Sequence, residues 1–139
     1  MSAHPTLWVC AAVTVAAATL AGQTTSGTDR TVRDGIYTAE QARRGRSTYD
    51  TKCASCHDGG TMGPELWGDA FLATWDNKDL GALFTRIQTT MPEDAPGSLT
   101  ESDALDVIAY VVQTNGFPAG DKALPGAAAL PSIKVVRKP

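Results

Sequence analysis

Apolar residues recur at helical spacing through the middle of the chain. Leu80, Leu83, Phe84 and Ile87 fall at i, i+3, i+4 and i+7, which predicts an amphipathic helix. Asp76-Asn77-Lys78-Asp79 precedes it as a capping run, with Asp79 favourable in the first turn. The helix should end at Thr89-Thr90-Met91-Pro92, because proline holds the residue before it in an extended conformation. A second stripe, Leu105, Ile108, Ala109 and Val112, is broadened by Val107, Tyr110 and Val111. So wide an apolar surface predicts a helix packed on two sides. Thr100 and Asp103 open it as a capping box, and Asn115-Gly116 closes it. Upstream, Thr38 and Gln41 have capping-box spacing and predict a helix to about Asp50, with Ala42, Gly45 and Tyr49 on one face. A mid-helix glycine costs about 1 kcal/mol against alanine, so Gly45 predicts close approach of another helix. Asp69 to Trp75 suits a short helix. Four helices make this an all-α chain.

The flanks read differently. Leu7 to Gly22 carries no charge, is too short for the roughly 20 residues of a membrane span, and ends in small residues, as a signal peptide does. The expectation is a signal peptide over 1–22; the alternative is an uncleaved membrane anchor. Residues 23–36 are polar and without periodicity, a flexible lead-in. The domain should span 37–116. Residues 117–139 contain four prolines and no helical pattern, and read as an extended tail.

Composition narrows the function. The 139 residues suit one domain; 42% are hydrophobic but only 6% aromatic, so a modest side-chain core would benefit from a buried apolar cofactor. The net charge of −3, without a basic block, gives no support for nucleic-acid binding. Arg43, Arg44 and Arg46 read as a solvated basic surface.

The chemistry lies in Cys53-Ala54-Ser55-Cys56-His57. C-x-x-C-H is the attachment pattern of a c-type haem. Two thiols on one side of a helical turn can form thioethers to one porphyrin edge, and the adjacent imidazole can reach the iron. A structural zinc site needs about four N/S ligands, and outside the motif only His4 and Cys10 are available. A thioredoxin-like pair should follow a strand, and no strand pattern precedes Cys53. The loop Gly59 to Gly68 then offers backbone carbonyls that could fix the His57 ring. The second axial position falls to Met62 or Met91. Met91 is favoured, because a helix separates it from His57 and can carry the chain across the haem. Trp67 and Trp75 read as core packing, with an indole bond to a haem propionate as the alternative for each.

The order of signals from Thr38 to Gly116 resembles a small monohaem class I cytochrome c: Gly45 and Tyr49, C53-A-S-C-H57, G63-P-E-L-W-G68, T90-M-P92 and D106-V-I-A-Y110. The resemblance implies the cytochrome c fold, about four helices around one covalent haem c. The first and last helices would cross at Gly45 and Tyr49 against Val107 and Tyr110, and Pro64 would offer its carbonyl to His57. It also implies a periplasmic one-electron carrier, not an enzyme, with Cys53 and Cys56 holding the haem and His57 and Met91 as axial ligands. The stretch from Met91 to Gly120 looks like cytochromes that work with periplasmic quinoprotein dehydrogenases. Such a dehydrogenase would be the donor, and an oxidase or another cytochrome the acceptor; membrane contact is expected only if the N-terminal segment stays on. The alternatives are a haem subunit of a dehydrogenase or oxidase complex, and a ligand-binding haem protein with an open sixth site. Only Lys52, Lys78 and Lys122 lie in or near the domain, so the lysine-ringed face of mitochondrial cytochrome c is not evident.

Overall fold

The computed structural model describes Met1, residues 30–60 and residues 62–137. The expected signal peptide over 1–22 lies outside these apart from Met1, as does the first half of the lead-in, residues 23–29. In chain order the elements are β1 (Arg30–Thr31), α1 (Ala39–Lys52), α2 (Ala54–His57), α3 (Gly68–Trp75), α4 (Leu80–Thr90), α5 (Glu101–Thr114), a 3-10 turn (Ala127–Ser132) and β2 (Ile133–Lys134). The fold is the all-α one expected. Among the described residues, no helix is long and apolar enough to cross a membrane.

Helices α1 and α5 make the principal crossing. Gly45 faces the α5 backbone so closely that an added Cβ would stand 1.8 Å from the Asp106 carbonyl oxygen. Beside this contact Tyr49 packs on Tyr110, with ring centroids 5.1 Å apart. Arg44 does not simply face solvent: its guanidinium grips the buried Asp106 carboxylate through two bonds of 2.8 and 3.0 Å. A carboxylate on an otherwise apolar crossing is tolerated only when paired in this way. Of the α5 stripe, Ile108, Ala109 and Val112 are buried together with Val107 and Val111, while Leu105 and Tyr110 are half-buried.

Caps place the helix starts. Thr100 and Asp103 form a complete capping box. Thr38 accepts from the Gln41 N–H, but the reciprocal half expected of Gln41 is missing. The Gln41 side chain is buried and accepts instead from the Leu124 N–H, at 2.8 Å. Asp79 is itself the cap of α4, accepting from Ala82 N–H, and not a first-turn residue.

The domain limits of 37–116 prove too narrow at both ends. β1 pairs in parallel with β2, Arg30 opposite Ile133, and Val32 and Ile36 are buried. The supposed tail buries Phe117, Leu124, Leu130, Ile133 and Val135 in the same core. Each such side chain contributes roughly 1.5–3 kcal/mol on burial, so this segment is structural. Its spacing is irregular because it follows the outside of α4 and α1 and adopts no helical period of its own.

Candidate functional site

The C-x-x-C-H motif forms the short helix α2, immediately after α1. Cys53 caps it, its N–H bonded to the Tyr49 carbonyl, and the Cys56 and His57 N–H groups bond to the Cys53 carbonyl at 3.1 and 3.0 Å. Both cysteines are half-buried and unbridged. Burial, with the neighbouring Cys56 thiol adding to it, pushes the Cys53 thiol up to about 11. A redox-active C-x-x-C pair has instead a depressed pKa at its attacking cysteine, the opposite direction.

His57 is held from the far side by the loop that follows. Its Nδ1 lies 2.7 Å from the Pro64 carbonyl oxygen, the acceptor expected there. With Nδ1 donating to that carbonyl, Nε2 is the nitrogen left bare for coordination. Gly63 N–H bonds to the Cys56 carbonyl at 2.9 Å, which lays the loop along the motif. Gly63 itself lies against the imidazole: an added Cβ would come within 2.8 Å of His57 Cε1 and 3.0 Å of Nδ1. In the sequence Gly63 stands within the G63-P-E-L-W-G68 signal, without a role of its own assigned to it. The signal for its role was its place one residue before Pro64, visible only once the loop is seen to fold back.

Two cavities open beside the motif. One, of about 920 Å³, is lined by Cys53, Cys56, His57, Met62, Met91 and Pro92 among others. The other, of about 350 Å³, has a more apolar wall, including Phe71, Trp75, Leu83 and again His57 and Met91. His57, Pro64, Arg86 and Met91 line both. Cofactor sites span roughly 300–1,000 Å³ and combine apolar walls with a few placed polar groups, and these cavities have that character. Met91 caps α4 in an extended conformation and is half-buried. Met62 is 74% exposed.

The tryptophans divide. Trp75 lines the smaller cavity and stacks on Phe71, with the Lys78 ammonium 5.4 Å from its ring. Trp67 lines neither cavity; it packs behind the motif against Tyr49, at 6.3 Å. Arg86 was not singled out from the sequence, since a charged residue on an amphipathic helix carries no periodic signal.

A family model described as cytochrome C oxidase, cbb3-type, subunit III matches residues 40–111, 72 of the 139 residues. The chain belongs to this family of c-type cytochrome domains. No curated protein and no solved structure matches it. The cytochrome therefore carries haem c covalently, with Cys53 and Cys56 in the attachment position. The residues present fit that group. Two cysteines share a helical turn, an imidazole is oriented by a carbonyl, and a methionine lies on the same cavity walls. Its general role is electron transfer with redox protein partners.

Proposed function

We propose that this cytochrome is an exported, periplasmic one-electron carrier with His57 and Met91 as axial ligands of the haem iron. The observation that carries the reading is that His57 and Met91 line both cavities, with His57 Nδ1 engaged by Pro64. When bound, the haem supplies an iron that changes valence by one electron. The chain's own residues do the rest. Pro64 holds the imidazole, Met91 offers a neutral thioether, and Phe71, Leu83 and Trp75 keep water from one side. A thioether ligand and apolar burial both raise the reduction potential. With His57 and Met91 both holding the iron, no site would remain on it for a substrate. Export is supported by the uncharged run Leu7 to Gly22. The donor would be a periplasmic quinoprotein dehydrogenase and the acceptor an oxidase or another cytochrome, through a small, short-lived contact. The description of the matched family, an oxidase subunit, favours a second reading in which the chain is a bound subunit of such a complex.

The test is spectroscopic, on protein made with working haem-attachment machinery. Met91→Ala should abolish the iron–sulfur absorption near the red end of the visible spectrum, and Met62→Ala should leave it. The opposite result would transfer the ligand to Met62. Ready carbon monoxide binding by the reduced protein would overturn the closed site in favour of a ligand-binding haem.

A further inference from the structure

Tyr49 brackets the haem-attachment motif. Its backbone carbonyl accepts from the Cys53 N–H at 2.9 Å, at the start of the motif. Its hydroxyl donates to Asp58 Oδ1 at 2.8 Å, one residue past the end. Tyr49 is only 2% exposed and is wedged between Tyr110 and Trp67. The bracket is thus anchored in the closely packed α1–α5 crossing.

Among the described residues, the chain just beyond His57 is otherwise held by backbone bonds, Asp58 N–H to the Ala54 carbonyl and Gly63 N–H to the Cys56 carbonyl, each at 2.9 Å. Asp58 leaves the helix in an extended conformation, and Gly59 and Gly60 follow at φ 82° and 63°. An added Cβ at Gly59 would meet nothing within 4 Å. Neither glycine contributes a packing side chain. The Asp58 carboxylate ties this end of the motif by a side-chain bond to the helical core, while Pro64 acts on the ring from the loop side.

We propose that Tyr49, through its hydroxyl bond to Asp58, is a positioning residue that sets the orientation of the His57 imidazole. A ligand's orientation is commonly set by partners that do not touch the metal. Here the device lies a further bond away, and joins the ligand to a helix crossing. Burial, reinforced by Asp58, raises the Tyr49 pKa, so the hydroxyl stays a donor at neutral pH. The inference rests on His57 being an axial ligand.

The test uses the haem-loaded, full-length ferric protein and the paramagnetically shifted haem-methyl proton resonances, which follow the planes of the axial ligands. Tyr49→Phe and Asp58→Ala should both shift this pattern, and in the same direction. Asp58→Asn, whose side-chain oxygen can still accept, should leave it close to wild type. The double variant Tyr49→Phe/Asp58→Ala should shift no further than either single one, as expected for two halves of one bond. Asp58 is exposed, so the Asp58 arm survives should Tyr49→Phe fail to fold. An unchanged pattern in Tyr49→Phe or in Asp58→Ala overturns the proposal, as does an Asp58→Asn shift as large as that of Asp58→Ala. A wild-type protein without a low-spin, histidine-ligated spectrum defeats the His57 assignment, and the bracket with it. A normal wild-type spectrum with insensitive variants defeats the bracket alone.

Discussion

Gly63→Ala should be among the most damaging single-methyl additions at the site. The added Cβ would lie 2.8 Å from His57 Cε1 and 3.0 Å from Nδ1. Comfortable carbon contacts are about 3.5–4.0 Å, so the ring must withdraw by roughly 0.7 Å. The Nδ1 to Pro64 distance, now 2.7 Å, would then grow toward about 3.4 Å, beyond the roughly 3.2 Å limit of a good bond. Overpacking of this kind costs about 1–3 kcal/mol, and the lost bond about 0.5–1.5 kcal/mol more. At about 4–8 °C per kcal/mol for a domain near 100 residues, the melting temperature should fall by at least about 6 °C. In the haem-loaded protein the ring has less room to withdraw, and the visible spectrum should change as well. Thermal unfolding followed by circular dichroism, with an absorption spectrum of each variant, makes the comparison. Gly126→Ala is the control, since its methyl would meet only the Glu101 carboxylate, at 3.4 Å. A Gly63→Ala protein with wild-type stability and spectrum would refute the claim that this glycine is required by the imidazole.

Three further outcomes are expected. Gly45→Ala drives a methyl into the α5 backbone, 1.8 Å from the Asp106 oxygen; the obstructing atoms are backbone and cannot swing aside, so chemical denaturation should show a loss near the upper end of the ~1–3 kcal/mol overpacking range. Gln41→Ala removes the acceptor of the Leu124 N–H and should cost about 1–3 kcal/mol for a buried donor left unsatisfied, with native-state hydrogen exchange of that amide accelerated. In haem-free protein, Cys53 is held protonated in the fold, with its pKa raised from 9.0 to about 11. Its contribution is therefore complete below pH 9 and is lost as pH rises from 9 toward 11. The thioether of the loaded protein carries no such proton, so denaturation at a series of pH values should show a steeper decline in the haem-free form, beyond the decline that the raised Tyr37 and Tyr49 pKa values give both forms.

Much of the site was legible because its chemistry is local. Covalent haem attachment needs two thiols and an imidazole within five consecutive residues, and the periods of α4 and α5 announce buried faces without reference to the rest of the chain. The Thr38 and Thr100 caps and the end of α4 at Met91 are likewise local, each set by one residue's bonding or by proline. The close approach at Gly45 could be anticipated as well, since a glycine within a helix needs a reason.

What remained hidden was whatever depends on partners distant in the chain. Gln41 has capping-box spacing, yet its side chain spans 83 positions to Leu124, where a buried amide needed an acceptor more than the half-buried helix start did. Arg44 looked like surface until Asp106, 62 positions away, required a counter-charge. Residues 30–36 and 117–137 lack any period, so no local pattern marks them as structure. They are ordered because β1 and β2 complete each other and because Leu130, Ile133 and their neighbours join the core that α4 helps to form. Local preference decides which segments coil and where a reactive turn falls. Which polar groups share a burial site, and which irregular strands close the core, is decided only when the assembled fold removes water from both members of a pair.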